Sequence, residues 1–312
     1  MRRVLAGGTL LLLVLTAATT EAAAAPQRIT TVGTVGALAA DGSRVAFVVV
    51  RSPRDSDRVR VWNTATGGVS KLGRRTHCVD TSTGRGIASL ALAGTRVLWL
   101  HYVGGNQRDW SVWTASTTRP LPRRLAAATV DVDSAAPMVV GHGDASRLGE
   151  LLPYAVGRNV VALRVNGTRA LSWLAPDRVV ALGANRGELA VAVADGRVLT
   201  LEGGAVVDEW NGSPAATAVF VTGSGVVAQR GSTLYAYGSP TLTKRLPAGA
   251  QLMDSDSGRA VYVTRGIVHV VELRSGADRS VAHGTAAQLE GSHLVVASSR
   301  TIRVATLAGQ AR

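Results

Sequence analysis

Acidic residues that follow strand-like runs are the first candidates for chemistry. Asp254 and Asp256 flank a serine directly after one such run. Asp41 and Glu290 stand at matching places in two others. A hard cation such as Ca²⁺ prefers oxygen ligands from several carboxylates. Asp is also a usual residue before Gly or Ser in tight turns. Turn chemistry is the simpler interpretation, and a cation site where these carboxylates meet is the functional alternative.

Histidine is the second candidate type. No two histidines are spaced i, i+2 or i, i+4, so the sequence contains no local chelating pair. His142 lies between two glycines after a short apolar run, where it is a candidate binding residue. An ordinary surface histidine is the simpler interpretation, because a lone residue is a weak indication of a site. The six histidines are His77, His101, His142, His269, His283 and His293.

Aromatic residues form the third candidate set. Tyr102 and Trp110 flank residues 104–107, which have the composition of an exposed hairpin. One interpretation is that these aromatic side chains form a hairpin tip that binds a sugar or a partner protein. The simpler interpretation is that they pack within the fold. The sequence contains no GxSxG, HExxH, paired-cysteine, Walker or GxGxxG motif, so it predicts no motif-bearing enzyme, metal or cofactor.

The elements that must position these candidates are β-strands. From residue 36 onward, strand-like runs of five to eight residues alternate with turns that contain Gly, Asp, Asn, Ser or Pro. The turn Asp41-Gly42-Ser43 precedes residues 45–50, a β-branched run of strand length. We find no convincing amphipathic helix. The sequence therefore predicts an all-β fold with a core of Val, Leu and Ala.

Grouping the runs in fours predicts seven blades, at residues 36–73, 87–126, 138–174, 178–210, 217–246, 251–282 and 286–307. The last group has three strands only, and one strand-like run, residues 27–32, is left over. We therefore predict a seven-bladed β-propeller of four-stranded antiparallel blades, its ring closed by the N-terminal strand joining the last blade. Ile29 and Val32 are then expected beside Ile302 and Val304 or their neighbours. Residues 131–149 have the weakest strand pattern.

The first blade resembles a known repeat family. Residues 39–47, AADGSRVAF, are similar to the SPDGxxIAF signature of the WD40-like repeats in TolB-type propellers. Residues 60–67, RVWNTATG, look like the VxVWDxxTG end of a WD40 repeat, with Asn63 where the family usually has Asp. The resemblance implies a propeller that serves as a binding platform and implies no particular reaction.

Residues 1–25 have the features of a secretory signal peptide. Arg2 and Arg3 precede an apolar run at residues 5–15, and three alanines precede Pro26. A membrane anchor is the alternative, but the run is shorter than the roughly 20 residues that a span needs. We expect cleavage near Pro26 and a single propeller domain at residues 26–312, secreted or associated with the cell envelope, with no further transmembrane span.

The charge is strongly positive. The formal net charge is +13, and it falls to +12 when Arg2, Arg3 and Glu21 are removed with the leader. The positive charge favours attraction to anionic polymers. The simpler interpretation is that the charge only reflects an Arg- and Ala-rich composition. No run of Lys or Arg exceeds two residues, so specific nucleic-acid binding is not expected. The single cysteine, Cys78, excludes an internal disulfide and is interpreted as a solitary thiol rather than an intermolecular bridge.

These observations lead to three functional hypotheses. The first is an exported, non-catalytic binding module that docks a partner protein or an anionic envelope polymer on one propeller face, as a monomer without a cofactor. The second is a propeller hydrolase or lyase whose residues converge on the central channel. The third is a relic without a working site. A channel lined by several close carboxylates or histidines, with a water-excluding pocket, favours the enzyme, and a flat mouth with exposed aromatics favours the binding module.

Overall fold

The computed structural model describes residues 27–50, 58–73, 84–146 and 149–307, which contain strands and turns. The predicted leader and most of the insertion after the first blade, with His77, Cys78 and Asp80, lie outside the described residues. Within the described part, no helix has the length and apolar character needed to cross a membrane.

The described residues form 29 strands, numbered here in chain order. Up to residue 174 they are β1 (Arg28–Thr30), β2 (Thr34–Asp41), β3 (Arg44–Val50), β4 (Val59–Asn63), β5 (Val69–Leu72), β6 (Arg85–Ala93), β7 (Arg96–Val103), β8 (Gln107–Ser116), β9 (Arg123–Asp131), β10 (Met138–Val140), β11 (Asp144–Ser146), β12 (Gly149–Val156), β13 (Asn159–Leu163) and β14 (Arg169–Leu174). From residue 179 they are β15 (Val179–Asn185), β16 (Glu188–Val193), β17 (Val198–Glu202), β18 (Ala205–Trp210), β19 (Ala218–Thr222), β20 (Gly225–Arg230), β21 (Thr233–Gly238), β22 (Leu242–Arg245), β23 (Gln251–Asp256), β24 (Arg259–Thr264), β25 (Ile267–Glu272), β26 (Asp278–His283), β27 (Ala286–Glu290), β28 (His293–Ser298) and β29 (Thr301–Thr306).

These strands form seven antiparallel sheets, which confirms the predicted seven-bladed β-propeller. Blades 1 to 6 are β2–β5, β6–β9, β10–β14, β15–β18, β19–β22 and β23–β26, and blade 7 is β27–β29 with β1. The first strands of neighbouring blades, such as β2 with β6 and β23 with β27, contact each other. The first strand of each blade therefore lies closest to the central channel.

The N-terminal strand closes the ring as predicted. Strand β1 pairs antiparallel with β29, and Ile29 is opposite Ile302. The amide of Val304 also donates to the carbonyl of Gln27 at 2.8 Å. The paired segment is shorter than residues 27–32, because the chain turns where the Thr31 hydroxyl donates to the Gly33 carbonyl. Val32 therefore lies past the strand and is 52% exposed.

The apolar core is divided into seven clusters, one in each gap between neighbouring blades. The cluster between blades 7 and 1 includes Phe47, Trp62 and Val295. Most of the other buried side chains are Val, Leu and Ala, as the composition predicted. Burying one Val or Leu contributes roughly 1.5–3 kcal/mol, so each gap is held mainly by many small contributions.

Blade 3 departs from the four-strand pattern at the stretch that had the weakest strand signal. Its inner strand is interrupted: β10 ends at Val140, and β11 resumes the pairing with β12 after residues 141–143. His142 makes an isolated parallel bridge to Gly183 of blade 4 there. A Cβ on Gly141 would collide with Leu182, so the close approach requires glycine.

The two faces of the ring carry different connections. We call the front face the one with the turns between first and second strands, at residues 41–44, 93–96, 256–259 and 290–293. The back face has the hairpins between second and third strands, such as residues 103–107, 156–159 and 264–267, and the crossovers to the next blade.

Candidate functional site

The structure brings the acidic candidates together at the front end of the channel. Asp41, Asp256 and Glu290 each occupy the last position of the first strand of their blade, on β2, β23 and β27. Asp254 lies two residues before Asp256. Their charges influence one another, since Asp41, Asp256 and Asp254 all raise the pKa of Glu290. These blades are neighbours only because the ring is closed.

Each of these three terminal carboxylates accepts a hydrogen bond from a turn of the following blade. Asp256 Oδ2 accepts from the Gly291 amide at 2.7 Å. Glu290 accepts from the amide of Gly42, and Asp41 accepts from the amide of Gly94. The bonds therefore run from blade 6 to blade 7, to blade 1 and to blade 2. We call this set of three bonds the carboxylate clasp.

The next two gaps are joined in two ways, by an arginine and by a further carboxylate. Ala93 ends the first strand of blade 2 without a polar side chain, and Arg96 instead donates to the Val165 carbonyl of blade 3 at 2.5 Å. Asp144 accepts from the Arg186 amide of blade 4 at 2.9 Å. Asp144 was not among the predicted candidates, because it follows the interruption of the blade 3 inner strand, where the strand pattern is weak.

Asp254 is the most deeply buried of the acids, at 1% exposure. It accepts from the Leu289 amide at 2.8 Å and from the Ser255 amide at 2.7 Å. His142 Nδ1 lies 3.9 Å from its Oδ1. Burial raises the pKa of Asp254, and His142 and the two amides oppose that rise. Asp254 thus ties blade 6 to blade 7 and faces the predicted histidine of blade 3.

The half-buried Glu290 has a pKa raised to about 7. Burial is the main cause, followed by the negative charge of Asp41, while the Gly42 amide acts in the opposite direction. Burial also raises the pKa of Asp41, an effect that Asp144 reinforces and the Gly94 amide opposes. The pKa values of Glu290, Asp41 and Asp254 are thus all raised mainly by burial.

Ligand binding by this cluster stays a prediction. No three His, Cys, Asp or Glu side chains in the described ranges are placed to hold a metal ion together. The clasp bonds give each terminal carboxylate a structural role, because an unpaired buried amide costs about 1–3 kcal/mol. His142 lines a cavity of about 200 Å³ in the channel and meets the Phe220 ring edge-on, at 5.7 Å between centroids.

Tyr102 and Trp110 lie beside the back-face hairpin, away from the acids. Their ring centroids are 5.4 Å apart. The Arg108 guanidinium lies 5.2 Å from the Tyr102 centroid and 5.9 Å from that of Trp110. Trp110 is 8% exposed and packs in the core between blades 2 and 3. The indole therefore supports the hairpin, and binding at the tip stays a prediction.

Two other polar groups had no signal in the sequence. Arg230 is 3% exposed and bonds the blade 4 crossover. Its guanidinium donates to the carbonyls of Gly196 at 2.7 Å, Gly212 at 2.8 Å, Pro214 at 3.1 Å and Trp210 at 3.4 Å, and to the Tyr237 hydroxyl at 3.0 Å.

The second group centres on Asp278 of blade 6. Its carboxylate accepts from the Tyr262 hydroxyl at 2.8 Å and lies 3.2 Å from His269 Nδ1 and 3.6 Å from Lys244 Nζ. Burial and the bond to Asp278 raise the pKa of Tyr262. Because Lys244 belongs to blade 5, the group connects two blades, which spacing along one blade does not reveal.

Comparison with known proteins supports the fold and no narrower family. No family model and no curated protein match the chain. A chain of the Mitotic Checkpoint Complex is similar in structure, with a TM-score of 0.57, 15% identity and 99% of each chain covered. The computationally designed Ika8 protein is also similar, with a TM-score of 0.53, 12% identity, and 89% of this chain and 98% of the Ika8 chain covered. These likenesses support a β-propeller fold and nothing narrower.

Proposed function

We propose that this protein is an exported, non-catalytic β-propeller that docks a partner protein or an anionic envelope polymer on its back face. The observation that carries the proposal is the distribution of charge. Exposed arginines occupy back-face hairpins and crossovers, and few acids of the described residues stand beside them. Those arginines are Arg158, Arg178, Arg245, Arg265 and Arg300.

The acids of the back face do little to offset that charge. Asp131, Asp133 and Asp177 lie on its crossovers. Asp195 is already paired with Arg197, at 2.6 Å between Nη2 and Oδ2. Arg108 over Tyr102 adds a further cation beside the hairpin at residues 103–107. A surface of one sign attracts an oppositely charged partner and accelerates its association.

The sequence supports an extracytoplasmic location. The basic start, the apolar run and the alanines of residues 1–25 are those of a secretory leader. An envelope polymer or an envelope protein with an acidic surface is therefore the partner class we favour, with this chain acting as a monomer.

The similar chain from the Mitotic Checkpoint Complex belongs, by its description, to an assembly. That likeness supports a protein partner in general terms and names none for this chain. We keep the hydrolase or lyase alternative out of the proposal, because the front-end carboxylates already bond backbone amides of neighbouring blades.

The test compares two triple charge reversals. R178E/R245E/R265E changes the back face, and R119E/R164E/R274E makes the same charge change at exposed front-face positions. We expect poly-glutamate binding at low salt to fall at least about tenfold in the first variant and about twofold or less in the second, with wild-type binding weakening as salt rises. Equal losses in both variants would show that net charge alone acts, and would overturn the proposed face.

A further inference from the structure

A cavity of about 950 Å³ lies between blades 7 and 1, where the ring closes. Its apolar lining includes Val45 of blade 1 and Val295 and Val304 of blade 7. Its polar lining includes the side chains of Ser43 and Thr64. The volume is within the range of small-molecule sites, which combine apolar walls with a few polar groups that fix orientation.

Glu290 is the carboxylate of this lining, and His293 is its cross-strand partner. Among the residues that the structure describes, no Lys or Arg lines the cavity. The hydrogen bond from the Gly42 amide uses one of roughly four acceptor positions on a carboxylate. Within the described part of the chain, no Lys or Arg is in ion-pair distance of Glu290. The cavity therefore holds an acid with free acceptor capacity and no permanent counter-ion.

The surroundings strengthen the negative potential. Asp41, Asp254 and Asp256 act on Glu290 from the two neighbouring blades. His142 lies 3.9 Å from Asp254 and also lowers the pKa of Asp41. A bound positive charge would offset the repulsion among these carboxylates. Other titratable or charged groups lie on the strands around the cavity. They are Arg28, Asp41, Arg44, Arg60, Asp254, Asp256, His293 and Arg303.

We propose that this cavity binds a small organic cation, an aliphatic amine or guanidine, with its charged head on Glu290 and its alkyl stem against the valines. The head supplies the donors that the free carboxylate oxygens lack, and the hydroxyls of Ser43 and Thr64 orient a second polar end. A bare metal ion fits less well, because no three-ligand group exists in the described ranges. This site lies on the front face and goes beyond the back-face docking proposed above.

Agmatine is the probe, because it carries an amine and a guanidinium on a four-carbon stem. We expect calorimetric titration of the full chain to give a dissociation constant of about 1 mM or lower at pH 8. Affinity should be roughly tenfold weaker at pH 6, since a carboxyl with a pKa of about 7 changes from about nine-tenths to about one-tenth ionised. Binding at pH 7 should release protons, and glutarate of similar length should not bind.

Two variants and one matched control make the test specific. E290Q should weaken agmatine binding at least about tenfold at pH 8 and remove the pH dependence. E202Q, an exposed front-face acid on blade 4, should bind as the wild type does. S292W, at an exposed position of the lining, should block the cavity without removing the acid.

The proposal is overturned if wild-type protein does not bind agmatine, if affinity is equal at pH 6 and pH 8, or if E290Q binds as tightly as the wild type. If E290Q fails to fold, S292W decides: unchanged binding in S292W overturns the site. Failure here leaves the docking proposal intact, because the back-face and front-face charge reversals are measured with a different probe on different residues.

Discussion

Two regions of the ring are joined by opposite chemistry: the acidic half, which is blades 6, 7, 1 and 2, and the gap between blades 4 and 5. Around blades 6, 7, 1 and 2, carboxylates accept hydrogen bonds from backbone amides of the next turn. Between blades 4 and 5, one buried arginine donates to backbone carbonyls of the crossover. Both arrangements satisfy backbone groups that would otherwise be buried without partners. In the acidic half, Glu290 has a pKa raised to about 7, whereas an arginine stays charged at physiological pH.

This difference explains why Glu290, and not Arg230, is a candidate ligand-binding group. Arg230 shares its donors among carbonyls and a hydroxyl, so little capacity is left for a ligand. Glu290 retains acceptor capacity beside a cavity, and its neighbours make its charge costly. Glu290 is therefore a better candidate for ligand binding than Arg230, because its hydrogen-bonding capacity is only partly used within the fold.

The largest expected effect comes from removing the closing strand. Deletion of residues 27–32 should lower the melting temperature by more than about 5 °C and promote aggregation, because the edge of β29 becomes exposed. Differential scanning calorimetry and light scattering measure both effects. An unchanged melting temperature would mean that the acidic half does not depend on closure.

Removal of the buried arginine should come next. R230A leaves several carbonyls and the Tyr237 hydroxyl without their donor, and should cost about 3 kcal/mol or more in the free energy of unfolding. Urea unfolding measures the loss. R245A, which removes an exposed arginine of the same blade, should cost less than about 0.5 kcal/mol. Equal effects of the two would contradict the role given to Arg230.

The effect of the E290Q substitution on the free energy of unfolding should depend on pH. The folded-state pKa of Glu290, about 7, lies above its unfolded value, so its stabilising contribution is present below pH 4.5 and is lost as pH rises to 7. Glutamine keeps the acceptor for Gly42 without the charge. Above pH 7, E290Q should therefore be more stable than the wild type by about 1–2 kcal/mol, allowing for solvent screening.

Chemical unfolding of both proteins at pH 5 and pH 8 tests this sign. A gain for E290Q that shrinks between pH 8 and pH 5 supports the raised pKa. A variant that is less stable than the wild type at pH 8 would show that the charged form of Glu290 is favourable in the fold.

The smallest effect is expected from Asp41. D41A removes the acceptor for the Gly94 amide and should cost about 1–2 kcal/mol, while D41N retains an acceptor oxygen and should cost less than half as much. Thermal unfolding at pH 7 compares them. Equal losses would indicate that charge, rather than the hydrogen bond, is what Asp41 contributes.

Local sequence patterns predicted most of the fold. Val45, Phe47 and Trp62 have the spacing of strands, and glycine turns separate such runs throughout the chain. The unassigned run around Ile29 predicted closure because a three-stranded last blade leaves an open edge. Blade 3 was the exception, since the parallel approach of His142 to Gly183 is held by a neighbouring blade rather than by its own pattern.

The sequence by itself determined the strands, the number of blades and which acids end an inner strand, because these depend on neighbours within a few residues. Only the tertiary structure decided what those acids do. Asp254 reaches Leu289 and Arg230 reaches Gly196, and each contact spans more than 30 residues across a gap between blades. Such partners are set by the rotation of one blade against the next, and neither residue type nor spacing encodes that rotation. The same rotation places Glu290 beside the cavity at the closing seam.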